Sequence, residues 1–287
     1  MRADVELLIP HFTFAGDVYP GGPVEVATFP FKDRMESAAR AGFKGVGLQH
    51  ADVMWNAERL GLKEMRRILE ANGLKYLELE FLVDWFADGD KRRASDAMRA
   101  EMLTICAELG VRNIKAGADF STPHADVPRM AEAFAGLCRD TARSGSEATL
   151  EIMPFSNVRT LETGLAIVAT ADQPNGGLLL DIWHMGRGNI PYSDISKKIP
   201  ARFIRAAEID DAPRVPVESD MWQETIHHRV LCGEGDLDVP SFVREIRKAG
   251  YKGPFGVEVL SAELRRLPLD QMTQRVFDSA MAQFAAV

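Results

Sequence analysis

Short apolar runs alternate with longer amphipathic segments about eight times along this 287-residue chain, with no low-complexity linker between them. Such alternation is typical of a repeated strand-helix unit. The strand candidates are Val5–Ile9, Phe43–Leu48, Leu74–Leu79, Val111–Ile114, Ala148–Leu150, Leu178–Leu180, Phe203–Ala207 and Phe255–Val257. The helix candidates are Phe31–Ala41, Leu62–Ala71, Ala94–Leu109, Val127–Ser144, Leu161–Ala171, Ile195–Ile199, Val239–Ala249 and Leu267–Ala286. Eight units in strict alternation predict a single α/β domain over residues 1–287, folded as a closed (β/α)8 barrel.

The competing architecture is a doubly wound open sheet, which would bind a dinucleotide through a glycine-rich turn after an early strand. No G-x-G-x-x-G motif occurs there. The barrel is therefore favoured over the open sheet.

Charge and cysteine content restrict the location and the partners of the chain. The formal net charge of −8 and the pI near 5.4 repel phosphate backbones, which argues against a nucleic-acid substrate. Three cysteines at unrelated spacings indicate reduced thiols. The amino terminus, MRADVELLIPHF, lacks the pattern of a signal peptide, and no run approaches the roughly 18 apolar residues of a membrane span. We expect a cytoplasmic protein with no membrane contact.

The sixth predicted strand carries the most informative motif, because its apolar run stops at a carboxylate. The stretch Gly176–Gly188 reads GGLLLDIWHMGRG, with His184 three residues after Asp181. A run without polar alternation is typical of a strand buried on both faces, and α/β barrels keep their chemistry at the carboxyl ends of such strands. The alternative is that Asp181 caps the turn that follows and that His184 is an ordinary loop histidine.

All strands of such a barrel point the same way, so the side chains at their ends meet around one opening. The strand-end residues are His11, His50, Glu80, Lys115, Glu151, Asp181, Glu208 and Glu258. The last four are carboxylates on consecutive strands, and they would repel one another strongly without a counter-charge. A divalent cation is the simplest counter-charge. Oxygen ligands favour Mn²⁺ or Mg²⁺, with Co²⁺ as a third candidate, over zinc.

Each of these residues also has an interpretation without chemistry. Strand-end acids often cap the next helix or pair with a surface lysine. Asp210 or Asp211 could serve in place of Glu208, and Glu80 with Lys115 could form an ion pair in the wall or bind substrate. The roles of His11 and His50 stay open, and His124 is expected to be exposed. Five aromatic residues lie in predicted loops at the opening and could stack on a sugar or simply roof the pocket: Trp55, Trp85, Phe86, Phe155 and Trp183.

Together the motifs resemble the xylose-isomerase-like sugar isomerase/epimerase superfamily, a group of TIM barrels, over nearly the whole chain. The motifs that carry the resemblance are Leu150-Glu151-Ile152, Leu180-Asp181-Ile182-Trp183-His184, Glu208 to Arg214, Cys232-Gly233-Glu234-Gly235 and Gly256-Val257-Glu258. The resemblance implies one divalent metal held by Glu151, Asp181 and Glu258, with Glu151 and Glu258 as acid/base groups, and we add Glu208 at the end of strand seven as the fourth candidate ligand. It also implies that His184 and Arg214 touch substrate, and we add His50, Glu80, Lys115, Trp183 and Arg229 as candidate substrate-binding residues. The superfamily usually has histidine where this chain has Glu208.

The resemblance predicts a metal-dependent isomerase or epimerase acting on a sugar or related polyhydroxy ketone through an enediolate. Removal of a proton beside the carbonyl and its return gives isomerisation. Expulsion of a hydroxyl instead gives dehydration, so the alternative is a dehydratase acting on an inosose-like or dehydroshikimate-like compound. The partner is thus a small polyol or keto-sugar, and the resemblance implies a homodimer or homotetramer.

Two further classes share the barrel. An endonuclease IV-like DNA repair enzyme predicts a cluster of metal-binding histidines and a basic face, against six histidines and a negative charge here. A catalytically silent sugar-binding barrel predicts no metal, and four unneutralised strand-end acids would then cost stability.

Overall fold

A computed structural model describes residues 5–285, and its eight strands form a closed parallel barrel in chain order. The strands are β1 (Leu7–Ile9), β2 (Gly45–Gln49), β3 (Tyr76–Leu82), β4 (Asn113–Ala116), β5 (Glu147–Glu151), β6 (Gly176–Asp181), β7 (Ile204–Ile209) and β8 (Phe255–Val257). The predicted (β/α)8 TIM-barrel fold is confirmed.

Within residues 5–285, twelve α-helices join or follow these strands. They are α1 (His11–Phe14), α2 (Phe31–Ala41), α3 (His50–Leu60), α4 (Leu62–Ala71), α5 (Gly89–Leu109), α6 (Val127–Ala142), α7 (Leu161–Ala171), α8 (Ile182–Arg187), α9 (Ser193–Lys198), α10 (Met221–His227), α11 (Val239–Lys248) and α12 (Leu269–Phe284). Short 3-10 turns cover Ala201–Phe203 and Leu264–Arg266. In this part of the chain, no helix combines the length and the apolar character needed to cross a bilayer.

The contacts divide the chain into two compact units, and the prediction of one domain over residues 1–287 stays a prediction. The first unit holds the described residues up to Leu77, Glu208–Arg244 and those from Gly253 onward. Here β1 pairs in parallel with both β2 and β8, so that Leu8 lies between Gly45 and Gly256. Helices α2 and α12 pack together in the same unit.

The second unit holds Glu78–Ala207 and Glu245–Lys252. Parallel pairing runs from β3 through β4 and β5 to β6, with Ala148 opposite Gly176. All six residues of β6 are buried, as its apolar sequence predicts. Gly177 is needed there because a Cβ at this position would lie 2.7 Å from the carbonyl oxygen of Phe203.

Most predicted boundaries differ from the observed ones by one to a few residues, because strand ends are set by pairing between strands. The main corrections are additional helices. Helix α3 occupies the segment after Gln49, whose side chain caps the helix by accepting from the backbone N–H of Asp52. Helix α8 replaces the predicted glycine-rich loop after Asp181. The closing helix was predicted to reach Ala286, which lies outside the described residues, as do residues 1–4 of the amino-terminal segment.

Candidate functional site

The end of β5 and the start of α8 bring three buried side chains of the second unit together. Glu151 ends β5, Asp181 ends β6, and His184 lies in the first turn of α8. One possible ligand atom from each of the three lies within 4.8 Å of the other two. The structure therefore juxtaposes two of the predicted ligands with the histidine of the Asp-x-x-His motif.

Asp181 has the capping role that the sequence analysis gave as the alternative to chemistry. Its Oδ1 accepts a hydrogen bond of 2.9 Å from the backbone N–H of His184. An N-cap carboxylate of this kind stabilises the first turn of a helix. The cap uses one carboxylate oxygen and fixes the orientation of the group, so capping and metal binding are compatible.

His184 connects the cap to Glu151. Its Nε2 lies 3.2 Å from Glu151 Oε1, and both side chains are buried. The imidazole packs edge-on against Phe155 and Trp183, with ring centroids 5.6 and 5.2 Å away. Among the described residues, no hydrogen-bond partner reaches the buried Nδ1. The ring is thus held by packing, with one nitrogen directed at a carboxylate.

A buried lysine lies in the wall of the same unit. Lys115 Nζ donates a hydrogen bond of 3.1 Å to Glu80 Oε2 and lies 3.6 Å from Glu78 Oε2. Burial raises the pKa of Glu80, while the nearby Lys115 ammonium opposes that rise and Glu78 and Glu151 add to it. The structure thus shows the ion pair that the sequence analysis considered for Glu80 and Lys115. Glu78, one pleat before Glu80 on the same strand face, was missed, although the two-residue period would have indicated it.

In the first unit, Glu208 lies against the backbone of β8. A Cβ at Gly256 would come within 2.8 Å of Glu208 Cγ and 3.0 Å of Oε1. No side chain other than hydrogen fits at position 256 without moving the carboxylate. Gly256 thus forms a cradle for Glu208, two residues before Glu258.

Glu258 is buried beside an arginine. Arg229 Nη1 lies 3.4 Å from Glu258 Oε2 and also donates to Asp210, while Nη2 donates to Thr225 Oγ1 at 2.9 Å. Arg229 itself is 1% exposed. The guanidinium contacts two carboxylates and a hydroxyl. Arg229 therefore orients Glu258 and neutralises part of the negative charge around it.

The two acids that were alternatives to Glu208 have other partners. Asp210 binds Arg229, and Asp211 accepts hydrogen bonds from the backbone N–H groups of Gly233 and Leu237. Asp211 therefore organises the turn Cys232-Gly233-Glu234-Gly235. Arg214 is exposed, and its backbone N–H donates to Asp236.

His11 belongs to a buried network in the first unit. Its Nε2 lies 2.9 Å from the carbonyl oxygen of Glu25, and its other ring nitrogen faces Arg34 and Asp52. Arg34 and Asp52, missed by the sequence analysis, form an ion pair of 2.5 Å with both side chains fully buried. Burial lowers the pKa of His11 to about 4. His50 is half-buried at the start of α3.

The remaining side chains differ in part from the sequence expectations. His124 is exposed, as predicted. The prediction that the five aromatic residues lie in loops is wrong for Trp55 and Trp183, which lie in α3 and α8. Trp183 is fully buried, and Trp85 is buried with its Nε1 donating to the carbonyl oxygen of Gly117 at 2.6 Å. These two rings act as packing groups in this structure.

Comparison with known proteins agrees with the barrel fold. The family model for the xylose isomerase-like TIM barrel matches residues 35–279. The chain belongs to this family. As a xylose isomerase-like TIM barrel, it is expected to use the carboxyl ends of its strands for chemistry.

Curated relatives of this xylose isomerase-like barrel include two kinds of enzyme. The chain is 26% identical to 3-dehydroshikimate dehydratase of Pseudomonas aeruginosa over 239 residues, which are 82% of this chain and 37% of that protein. It is 28% identical to ketose 3-epimerase of Arthrobacter globiformis over 147 residues, 49% of this chain and 45% of that protein. The chain thus spans less than half the length of each of these relatives. Their names are consistent with an enzyme.

Solved structures show the same fold. IolI, crystallised with a bound zinc atom, superposes with a TM-score of 0.84 at 18% identity and covers 98% of both chains. The probable 3-DHS dehydratase AsbF from Bacillus anthracis gives a TM-score of 0.73 at 13% identity, covering 96% of this chain and 98% of that one. At these identities the likeness concerns the fold alone.

The donor set in this xylose isomerase-like barrel fits a divalent cation. Glu151, Asp181 and His184 converge in the second unit, and the Gly256 cradle holds the Glu208 carboxylate in the first. Buried carboxylates of this number need positive charge nearby. Their oxygens suit Mg²⁺ and Mn²⁺ better than thiolate-preferring ions.

Proposed function

We propose that this chain is a divalent-metal-dependent dehydratase that removes water from a small polyhydroxy ketone. The single observation that carries the proposal is the 3.2 Å approach of His184 Nε2 to Glu151 Oε1. It supplies a base and an acid that can exchange a proton directly after each turnover. The Pseudomonas relative named 3-dehydroshikimate dehydratase, which aligns with 82% of this chain, supports the choice of reaction.

The proposed ligands of the metal are Glu151, Asp181, Glu208 and Glu258. They stand at or near the ends of four consecutive parallel strands, β5 to β8, whose carboxyl ends share one end of a closed barrel. A bound divalent ion would polarise the substrate carbonyl and lower the pKa of the neighbouring C–H group. Mn²⁺ or Mg²⁺ is proposed, with Co²⁺ as the third candidate. The negative charge of four carboxylates exceeds the charge of one divalent ion. One of the four is therefore expected to carry a proton or to lie outside direct contact with the ion.

The side chains divide the reaction between them. Glu151 accepts the proton from the carbon next to the carbonyl, and the electron pair left behind forms the new double bond as the hydroxyl on the following carbon departs. His184, protonated on Nε2, gives that proton to the departing hydroxyl, which leaves as water. The proton on Glu151 then returns to His184 across the 3.2 Å contact. One proton and one hydroxide leave the substrate, so the balance is a single molecule of water.

A second candidate is the isomerase or epimerase that the sequence analysis placed first. It is favoured by Glu258, a second strand-end carboxylate that could return the proton to carbon. Arg229 Nη1, 3.4 Å from Glu258 Oε2, would keep that carboxylate oriented for this step. Ketose 3-epimerase from Arthrobacter globiformis, which aligns with 49% of this chain, supports this alternative.

Substrate contacts are proposed on the same basis. Of the candidate cations, Arg214 is exposed, whereas Arg229 is buried against Glu258 and Asp210. His50 and the Glu80-Lys115 pair are proposed to bind substrate hydroxyls. The stacking role proposed for Trp183 requires its fully buried ring to become accessible. The cytoplasmic location and the dimer or tetramer stay predictions.

The test is a substrate screen in D₂O with dehydroshikimate, inososes and ketoses, each with added Mn²⁺, Mg²⁺ or Co²⁺. Dehydration produces a new conjugated double bond, seen by ultraviolet absorption, and releases water. Epimerisation gives an isomer of unchanged mass apart from one deuterium on the epimerised carbon, seen by mass spectrometry. Deuterated epimer without unsaturated product would replace the dehydratase proposal with the second candidate. No conversion of any compound with any of the ions would contradict both.

A further inference from the structure

A cavity of about 360 Å³ lies in the second unit between the loop after β3 and helices α5 and α6. Its lining includes four arginines and two acids: Arg92, Arg99, Arg129, Arg139, Asp88 and Glu132. The whole chain carries a net charge of −8, so this concentration of guanidinium groups runs against the general charge of the protein. None of these residues belongs to the proposed metal site.

We propose that this cavity, which we call the arginine cavity, is a second binding site that takes a small phosphomonoester dianion. Arginine forks match the oxygens of phosphate groups and bind them through paired hydrogen bonds. The lining arginines come from both α5 and α6, and donors that approach from two helices suit a tetrahedral oxyanion better than a flat carboxylate. The proposal does not depend on the reaction assigned to the metal site.

Arg99 at the base of the cavity provides the first specific argument. The residue is 7% exposed, and its guanidinium pairs with Asp140. Its buried Nε has no hydrogen-bond partner among residues 5–285. A buried guanidinium whose donors are only partly paired costs free energy, and an anion beside its Nη atoms would offset part of that cost. Burial lowers the pKa of Arg99, while the Asp140 carboxylate opposes that shift and Arg92 adds to it.

Gly136 on α6 provides the second argument, because it leaves open the space between two guanidinium groups. A Cβ there would lie 3.7 Å from Arg139 Nη2 and 3.9 Å from Arg99 Nη2. Both groups therefore converge over one small residue. Arg139 is exposed, and none of the described residues forms a hydrogen bond or ion pair with its guanidinium. Its charge is available to a ligand at the rim.

Arg129 closes the side formed by the loop after β3. Its Nε donates to the carbonyl oxygen of Phe86 at 2.8 Å, and its Nη2 lies 2.7 Å from Asp88 Oδ2. These contacts orient the guanidinium before a ligand arrives, which reduces the entropy lost on binding. The cavity is larger than a phosphate ion and lies within the usual size range of small-molecule pockets, roughly 300–1,000 Å³. Phe86 lines it as well, so an organic phosphomonoester fits better than free phosphate.

Isothermal titration of the full chain with glycerol 3-phosphate and with inorganic phosphate tests the proposal. We expect saturable binding of one equivalent that weakens as the salt concentration rises. Arg139→Gln should weaken it about tenfold or more, since it removes a charged hydrogen-bond donor. Gly136→Glu, which puts a carboxylate between Arg99 and Arg139, should abolish it. Arg67→Gln on α4, an exposed arginine paired with Glu64, is the matched control and should bind like the wild type.

The outcomes separate the two sources of the phosphate group. Tighter binding of glycerol 3-phosphate supports a site for an organic phosphomonoester, and equal binding of both probes supports a site that recognises the phosphate group alone. Binding of neither probe to the wild type would overturn the proposal. Equal affinities in wild type and Arg139→Gln would overturn it too, because that exposed substitution leaves the packing of α6 unchanged.

Discussion

His184 Nε2 and Glu151 Oε1 lie 3.2 Å apart, and the two residues come from different strand-helix units of the barrel. The Asp181 cap fixes the backbone of His184, and Phe155 and Trp183 fix its ring. A base and an acid are thus held together before substrate binds. Preorganisation of this kind is what efficient proton transfer requires.

Replacement of His184 by glutamine should separate proton transfer from metal binding. We expect His184→Gln to lower kcat by roughly 10²- to 10⁴-fold, the usual contribution of a general acid or base. The four proposed carboxylate ligands remain, so the metal content should stay close to that of the wild type. Steady-state kinetics and elemental analysis measure the two quantities. His124→Gln, at an exposed histidine, is the control. Loss of the metal together with activity would make His184 a ligand instead.

Gly256→Ala should displace Glu208 without removing any carboxylate. The added methyl group would lie 2.8 Å from Glu208 Cγ, closer than packed atoms allow. We expect the affinity for Mn²⁺ to fall by about tenfold or more if Glu208 contacts the ion, with fold and secondary structure retained. Gly136→Ala on α6 is the matched control, because an added Cβ there would meet no atom closer than 3.7 Å. Unchanged Mn²⁺ affinity in Gly256→Ala would mean that Glu208 stands outside the site.

Lys115→Met should destabilise the protein in a pH-dependent way. Removal of the ammonium leaves Glu80 buried without its counter-charge, which typically costs about 3–5 kcal/mol, while Glu78 keeps Arg112 Nη1 at 3.4 Å. The pKa of Glu80 is already raised by burial and would rise further. An acid whose pKa is higher in the folded state binds more protons there, so folding loses stability as the pH rises above its ordinary value, 4.5.

The loss in free energy of unfolding that Lys115→Met shows relative to wild type should therefore be larger at pH 8 than at pH 5. Urea unfolding at both values measures it. The double variant Lys115→Met with Glu80→Gln removes one buried charge and should recover part of the loss. A deficit that is the same at both pH values would contradict the account of this ion pair.

His11 should make the fold sensitive to mild acid. Its folded pKa of about 4 lies below the ordinary value of 6.5, so the unfolded chain binds more protons between these values. Stability from the neutral, buried ring is complete above pH 6.5 and is lost as the pH falls towards 4, by up to about 1.4 kcal/mol per pH unit. His11→Gln should lose stability less steeply over this range, while His124→Gln should follow the wild type. The same pH dependence of the free energy of unfolding in wild type, His11→Gln and His124→Gln would contradict the low folded pKa of His11.

The sequence predicted the elements whose ends are marked by local signals. Helix α2 matches to the residue because Gly42, with φ of 117°, ends it, and α7 matches because the Thr160 side chain caps its start. Helices α3 and α8 were missed, because their N-caps, Gln49 and Asp181, are also the last residues of strands. A side chain that serves two elements cannot be assigned from local patterns alone.

The sequence predicted which residues belong to the candidate site, but not which of their side chains contact one another. Strand-end positions predicted Glu151 and Asp181, since a carboxylate after an apolar run is visible in the sequence. The pairing of His184 with Glu151, 33 positions apart, depends on how the barrel brings its units together. The contact of Arg229 with Glu258, and the close approach of Glu208 to Gly256, depend on packing between segments that are far apart in the sequence.

The most direct test of a metal-dependent reaction at this end of the barrel is the metal content of wild type and Asp181→Asn, purified without chelator. Mass spectrometry should find one equivalent of manganese, magnesium or cobalt in the wild type and little in the variant, with the dehydration activity lost in proportion. Asparagine retains the side-chain oxygen that caps α8, so the fold should be unchanged. Absence of metal from the wild type, with none taken up from added ions, would contradict the account. So would full activity in Asp181→Asn.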